Sequence, residues 1–483
     1  VAEQHGVVFP LAGAQRSTSA LGRAVVADAL RPVDPIGARA AEGETSWRRE
    51  YRVHFRRLVE AGLDSPDAAV AIARAGLDSA HTRLRFSTVD DEIPLDEAPL
   101  LPVADRLQTY EITGAGRPET ELALPYRGGH LRGKELLGQL DQWVAHGIIE
   151  PSCASAVALV ADNPQWLALP GRTVVVLGAG AEMSPLTALL RWGADVVGVD
   201  LPRPGIWQRV LGVARRYGGR LRVPAFDTVD LATGAGLGAD LLHEVHRVGA
   251  WVSELDGPLT VGNYAYADGA VHVRVTAAVD ALTQHLLATR DDVGLAFLAT
   301  PTDIFAVPGE AVAEATRRYA APSGISRLRQ PARMASGGRL FARNYPPGVD
   351  PGINDSLVLQ QGPNYALAKR MQRWRACVSR ADGRSVSLRI APATRTRSVV
   401  RNRLLGAAFA GAHRFGVEVF EPATSNTLMA AMLVHDLCVA PASLGHPWRD
   451  EADGAAHGGL WRIPYAPRSV LGIAVLFGIG SAR

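Results

Sequence analysis

Tyr365 and Lys369 stand four residues apart, and Lys369 is one of only two lysines among 51 basic side chains, the other being Lys134. Arginine carries the positive charge everywhere else, so a retained ammonium points to work that needs a compact charge with a movable pKa. On a helix, side chains at i and i+4 share a face. An ammonium beside a phenol favours the phenolate and brings a group with an ordinary pKa of about 10 into use as an acid or base near neutral pH. The alternative is a basic surface helix with no chemistry. Scarce lysine with abundant alanine, arginine and glycine also matches the codon bias of a GC-rich bacterial genome.

A second constellation lies upstream. An apolar run at 173–177 leads into Gly178-Ala179-Gly180, and Asp200 ends the next apolar run, 22 residues after Gly178. Glycines there let the backbone approach a pyrophosphate, and an acid at that distance accepts from ribose hydroxyls, favouring NAD over NADP. Asp227, ending the following strand, is placed to meet the adenine edge. Met183 stands where a small residue is wanted for close helix-to-strand packing. A glycine turn that binds no nucleotide is the competing reading.

Periodicity supplies the secondary structure around these residues. Strands are expected at 173–177, 195–200, 220–227, 293–300 and 385–390, with 250–253 and 259–266 as candidates for a fourth. Helices are expected at 184–192, 206–217, 239–248, 269–289, 365–377 and 403–415. This alternation is the signature of a parallel sheet covered on both faces. Upstream, 1–44 reads as an irregular arm with one short helix. Trp47, Tyr51, Phe55, Leu58 and Val59 form one stripe behind a candidate N-cap, Ser46. The phrase Ala-Gly-Leu-Asp-Ser recurs at 61–65 and 75–79, suggesting a helical hairpin in which an acid or serine of each copy caps the next segment. An acidic, proline-punctuated connection at 90–99 precedes helices at 133–146 and 151–161. Downstream, 416–420 reads as a strand and 470–480 as a buried strand or plug, too short to cross a bilayer.

A strand, a Tyr-x-x-x-Lys helix, a strand and then a proline-threonine turn resemble the order of the short-chain dehydrogenase/reductase superfamily over about 170–430. The resemblance implies a Rossmann-like doubly wound α/β fold that binds NAD, or NADP. It implies Tyr365 as proton donor or acceptor, Lys369 on the nicotinamide ribose and lowering the Tyr365 pKa, and Pro392 to Thr394 around the carboxamide. It also implies a polarising hydroxyl, for which Ser356 is the candidate and Thr300 and Thr302 are rivals. The chain departs from the family pattern in lacking Thr-Gly-x-x-x-Gly-x-Gly, in placing Ser356 only nine residues before Tyr365, and in carrying an insertion at about 303–353.

The expected organisation is an N-terminal arm and helical region at 1–165, a Rossmann-like domain at 166–440 and a C-terminal tail at 441–483. The apolar fraction of 47% over 483 residues suits a large core, and a net charge of +3 does not suggest nucleic acid. Cys153, Cys377 and Cys438 have no metal-ligand spacing, so reduced thiols and no metal are expected. The opening residues lack a signal-peptide pattern, so a cytoplasmic protein without membrane contact is expected, with a homo-oligomer left open. His272 and Arg274 could orient an anionic substrate. Arg317, Arg318, Arg327, Arg329, Arg333, Arg339 and Arg343 make the insertion an anion-receiving or solvated flap. Trp251, Trp374, Tyr264 and Tyr266 could line an apolar pocket or belong to the core. The favoured function is NAD(P)-dependent oxidoreduction of a carbonyl or alcohol. The rivals are a non-enzymatic nucleotide-binding or scaffold protein and an S-adenosylmethionine-dependent methyltransferase.

Overall fold

The computed structural model describes residues 5–322 and 326–479, with the side chains of 227, 326–328 and 359 outside that description. Eight strands form the central sheet: β1 (Gln108–Thr113), β2 (Thr173–Leu177), β3 (Asp195–Val199), β4 (Arg220–Asp230), β5 (Ala235–Leu237), β6 (Leu259–Asn263), β7 (Val293–Ala299) and β8 (Val386–Ile390). Six of these run parallel in the spatial order β4-β3-β2-β6-β7-β8. Ranked along the chain, that is 3-2-1-4-5-6, the order of doubly wound sheets that bind ligands at the reversal between the first and fourth strands. β1 and β5 add antiparallel to the two ends of β4.

Every residue of β2 is buried, and successive residues serve opposite layers. Val175 and Leu177 join one apolar cluster and Val174 and Val176 the other, as a pleat with period two requires. The first cluster receives the N-terminal helices α1 (Thr18–Leu30), α2 (Trp47–Gly62) and α3 (Pro66–Arg83). The second receives α4 (Gly133–Ala145), α5 (Pro151–Asp162), α6 (Leu186–Arg191) and α7 (Pro204–Arg216). The first face is completed by α8 (Val245–Ser253), α9 (Ala270–Thr289) and α10 (Gly362–Ala381). After a short helical pair ending in α11 (Arg403–Gly411), the chain enters α12 (Pro422–Val439) on the second face and later forms α13 (Pro467–Ile479).

The stripe of α2 is as expected, with Trp47, Tyr51, Phe55 and Leu58 buried. Ser46 flanks it but makes no side-chain cap bond; its N–H donates to the Glu44 carboxylate at 2.6 Å. Ser65 does cap α3, accepting from Ala68 N–H at 3.0 Å. The second Ala-Gly-Leu-Asp-Ser copy lies inside α3, so it caps nothing.

Several expected elements differ. The arm at 1–44 holds two helices, α1 and Pro35–Glu42. Residues 250–253 finish α8, leaving β6 as the fourth parallel strand. The run 416–420 makes only an isolated bridge from Phe420 to Thr394, and 470–479 lies in a helix rather than a strand. Short apolar runs do not distinguish strand from buried helix by themselves, and here helical packing partners decide. The insertion is also built in: Ile304–Val307 pairs with Gly352–Asp355 as a buried hairpin beneath α2.

Candidate active site

Parallel strands deliver the residues that come after them to one edge of the sheet. Gly178 follows β2, Asp200 follows β3, Thr300 follows β7, and Pro392 and Thr394 follow β8. Residues spread over more than two hundred positions therefore share the carboxyl edge, where doubly wound sheets take their ligands.

Gly178 adopts φ of 92°, and a Cβ there would stand 2.7 Å from Ala265 N, so only glycine fits the close approach of the segment leaving β6. The turn is tied internally. Gly178 and Ala179 N–H both donate to Val199 O, at 2.8 and 3.1 Å, and Ala181 N–H donates to Gly178 O at 3.1 Å. Gly180 N–H donates to Asp200 Oδ2 at 2.8 Å, while Leu201 N–H reaches Oδ1 at 2.8 Å. Burial raises the Asp200 carboxyl above its usual range, although both N–H bonds and nearby arginines pull it down. The acid thus braces the turn from below, with lone pairs left for hydroxyl donors. Glu182 takes the Arg397 N–H at 2.8 Å, and Met183 packs, half-buried, against the second apolar cluster. The residues present suit the ribose part of a nucleotide better than its pyrophosphate, since the N–H groups of Gly178, Ala179, Gly180 and Ala181 already have partners.

Asn263 was not singled out from the sequence. It is the last residue of β6, paired in register with Leu177 at the reversal of the sheet. Its side chain is buried, with Oδ1 lacking a hydrogen-bond partner among the described residues. A buried acceptor at the reversal of the sheet is a ready contact for a ligand hydroxyl or amide. The one signal in the sequence is an amide closing the otherwise apolar Leu-Thr-Val-Gly-Asn run.

Tyr365 and Lys369 of α10 line a narrow space with Thr300, Thr302, Asp303 and Tyr51. Tyr51 reaches it from α2, and its hydroxyl has no partner among the described residues. The Tyr-Lys pair therefore shares one chamber, but not as the resemblance implied. Lys369 Nζ donates to Leu298 O at 3.2 Å and to Gln372 Oε1 at 3.0 Å. Burial draws its pKa down to about 8 against the pull of Asp303. Burial pushes the Tyr365 phenol up; Thr300 opposes this, and Tyr266 and Asp303 reinforce it. The opposing pull on the phenol comes from Thr300, not from Lys369 as the resemblance implied.

Tyr365 stacks on the His272 imidazole, with ring centroids 5.5 Å apart. Burial and the Lys369 charge hold His272 down to about 3, so it is neutral, and its Nδ1 accepts Ala267 N–H at 3.3 Å. Arg274 binds the backbone carbonyls of Val7 and His5, anchoring the short strand Gly6–Val8. Neither is arranged to receive a substrate anion. Ser356 donates to Asn354 Oδ1 at 2.5 Å within the buried hairpin network, so Thr300 is the hydroxyl beside the phenol. Thr394 Oγ1 donates to Pro392 O at 2.8 Å and meets Ser425 Oγ at 2.6 Å. Asp227 lies in β4, its side chain outside the described residues.

Of the insertion arginines, Arg329 and Arg343 lie over the Tyr319 ring, Arg333 binds Phe341 O and Arg318 pairs with Glu314. These four brace the insertion, and the Arg327 side chain lies outside the described residues. Trp251 and Trp374 belong to the core, Trp251 donating to Thr109 Oγ1 at 2.9 Å. Tyr264 is buried likewise, whereas Tyr266 is exposed and donates to Asp268 at 2.9 Å.

No protein-family model matches the chain, and no curated protein does. Among solved structures, it is similar to an Agrobacterium tumefaciens protein described as a candidate 2-deoxy-D-gluconate 3-dehydrogenase with bound NADP. The two share 15% identity with a TM-score of 0.32, over 61% of this chain and 98% of that one. A likeness of that depth distinguishes no activity.

Proposed function

We propose that the chain is a nicotinamide-nucleotide-dependent oxidoreductase acting on a carbonyl or alcohol. The observation that carries this reading is the convergence of Tyr365, Lys369 and Thr300 around one narrow space at the carboxyl edge of the sheet, the edge at which Asn263 ends β6. Gly178, Asp200 and Asn263 are the residues that would hold the nucleoside part, with the Asp200 carboxylate favouring a free 2′-hydroxyl and hence NAD. The nucleotide supplies or receives the hydride.

The chain's own residues handle the proton. A phenol pushed upward stays protonated through neutral pH, so Tyr365 serves as donor to a developing alkoxide rather than as base. Thr300 orients that hydroxyl. Lys369, with a pKa of about 8 and lining the same space, would return the proton to the phenolate and become neutral in doing so. Reduction of a carbonyl is the direction these states favour.

The fully bonded glycine turn favours a second reading, a Rossmann-like scaffold whose Tyr-Lys helix is part of the core. A methyltransferase would use Asp200 and leave Tyr365 and Lys369 idle.

Thermal-shift titration with NAD⁺, NADH, NADP⁺, NADPH and S-adenosylmethionine separates these. Ligand at a hundred times its dissociation constant adds about 2.7 kcal/mol of apparent stability. The oxidoreductase reading expects a nicotinamide-dependent shift that Asn263→Leu removes, followed by carbonyl reduction that Tyr365→Phe abolishes with the shift intact. A shift with S-adenosylmethionine alone, or none with any ligand, sinks it.

A further inference from the structure

We infer that the α11–α13 hairpin is a docking surface for an anionic lipid bilayer. The two helices touch so closely that no Cβ fits at Gly411, which abuts Ala474, or at Gly478, which abuts Ala407. That pairing is antiparallel: the start of α11 lies beside the end of α13. That end of the pair places Val400, Leu404 and Ile479 near one another along the axis, 51, 58 and 59% exposed, with Leu476, 70% exposed, on the face of α13 turned away from α11. Solvent-facing aliphatic side chains at this density mark a contact surface.

The same end is basic. Arg397, Arg401 and Arg403 are all exposed, and the sequence holds no aspartate or glutamate from 395 to 416 or from 464 to 479. Arg397 reaches Glu182 at 3.1 Å and Arg395 reaches Glu421 only at 4.0 Å, both acids lying outside the hairpin.

Aliphatic tips framed by guanidinium groups fit a phospholipid interface. The apolar side chains enter the boundary between headgroups and acyl chains, while the arginines extend to lipid phosphates. Among the described residues no helix is long and apolar enough to cross a membrane, and α13 has 13 residues. The hairpin would lie on the surface. A second copy is the poorer occupant, because a symmetric contact brings like-charged arginines together. Nucleic acid would use the charge but not the aliphatic side chains, which offer no stacking plane.

The test is co-sedimentation of the full chain with vesicles of phosphatidylcholine alone or equimolar phosphatidylcholine and phosphatidylserine, at low and high salt. Binding is expected only to the anionic vesicles and is expected to fall with salt. Arg401→Gln with Arg403→Gln should weaken it about thirtyfold, equivalent to about 1 kcal/mol per arginine at such a surface. Leu404→Asp with Leu476→Asp should remove it. Circular dichroism checks folding, and the exposed arginine pair keeps the test decisive if the aspartate variant misfolds. Absence of phosphatidylserine-dependent binding, or binding untouched by the variants, overturns the inference. So does a dimer dissociated by the aspartate pair, or retention of a labelled oligonucleotide, when vesicles are not bound.

Discussion

The Asp200 carboxylate accepts the Gly180 N–H at 2.8 Å, so the acid ending β3 holds the glycine turn after β2 in place. Asp200→Ala would strand this N–H and that of Leu201. A melting temperature lowered by the equivalent of about 2 kcal/mol is expected, with Asp200→Asn costing less because one acceptor oxygen remains. Equal melting temperatures for wild type and Asp200→Ala would mean the turn stands without its brace.

Lys369 makes a pH prediction with a definite sign. Its folded pKa is drawn down from 10.5 to about 8, so between those values the unfolded chain holds more protons than the folded one. Stability therefore rises with pH across that window, by up to about 3 kcal/mol. Lys369→Met should be more stable than wild type at pH 7, and the difference should shrink toward pH 10. Denaturant melts of both proteins at several pH values read this directly.

Glu150 gives the opposite edge. Burial pushes it up, but Arg462 and His457 outweigh burial and hold its pKa down from 4.5 to about 2. The stability this contributes is present above pH 4.5 and is lost as pH falls toward 2, about 3 kcal/mol in all. Glu150→Gln should be destabilised at pH 7, and the gap from wild type should close in acid. An unchanged gap at pH 3 would assign the loss to packing.

Asp280 of α9 joins three helices. It takes Arg375 of α10 through two bonds of 2.7 Å and His81 of α3 at 2.7 Å. Against burial, which pushes it up, Arg375 and His81 hold its carboxyl far below the usual range. Removing one partner of a buried pair costs about 3–5 kcal/mol, so Asp280→Ala should unfold at markedly lower denaturant. The N-terminal helices should become the first target of limited proteolysis.

The sheet was legible because β2, β3 and β7 are apolar runs bounded by turn residues, and their order along the chain already implied a parallel arrangement. The partners of the site residues were not. That Asp200 also accepts a backbone N–H twenty positions away, and that burial rather than Lys369 governs the Tyr365 phenol, depend on tertiary packing rather than local pattern. Tyr51 looked like one position in a core stripe. Its approach to Tyr365 depends on where α2 docks, which no local pattern carries. The 470–479 run failed for a simpler reason: its helical form rests on the Gly411 and Gly478 contact, a partner sixty residues upstream.

The docking of α2 and α3 has a consequence during synthesis. The surfaces that cover Tyr51, Phe55 and His81 belong to α9, α10 and the paired strands at 304–307 and 352–355, made about two hundred residues or more after α2 and α3. At translation rates of about 5–20 residues per second, the amphipathic face of α2 waits uncovered for on the order of ten seconds or more. The nascent N-terminal region is thus a ready client for a holding chaperone, and chains interrupted before α10 would expose a large adhesive surface.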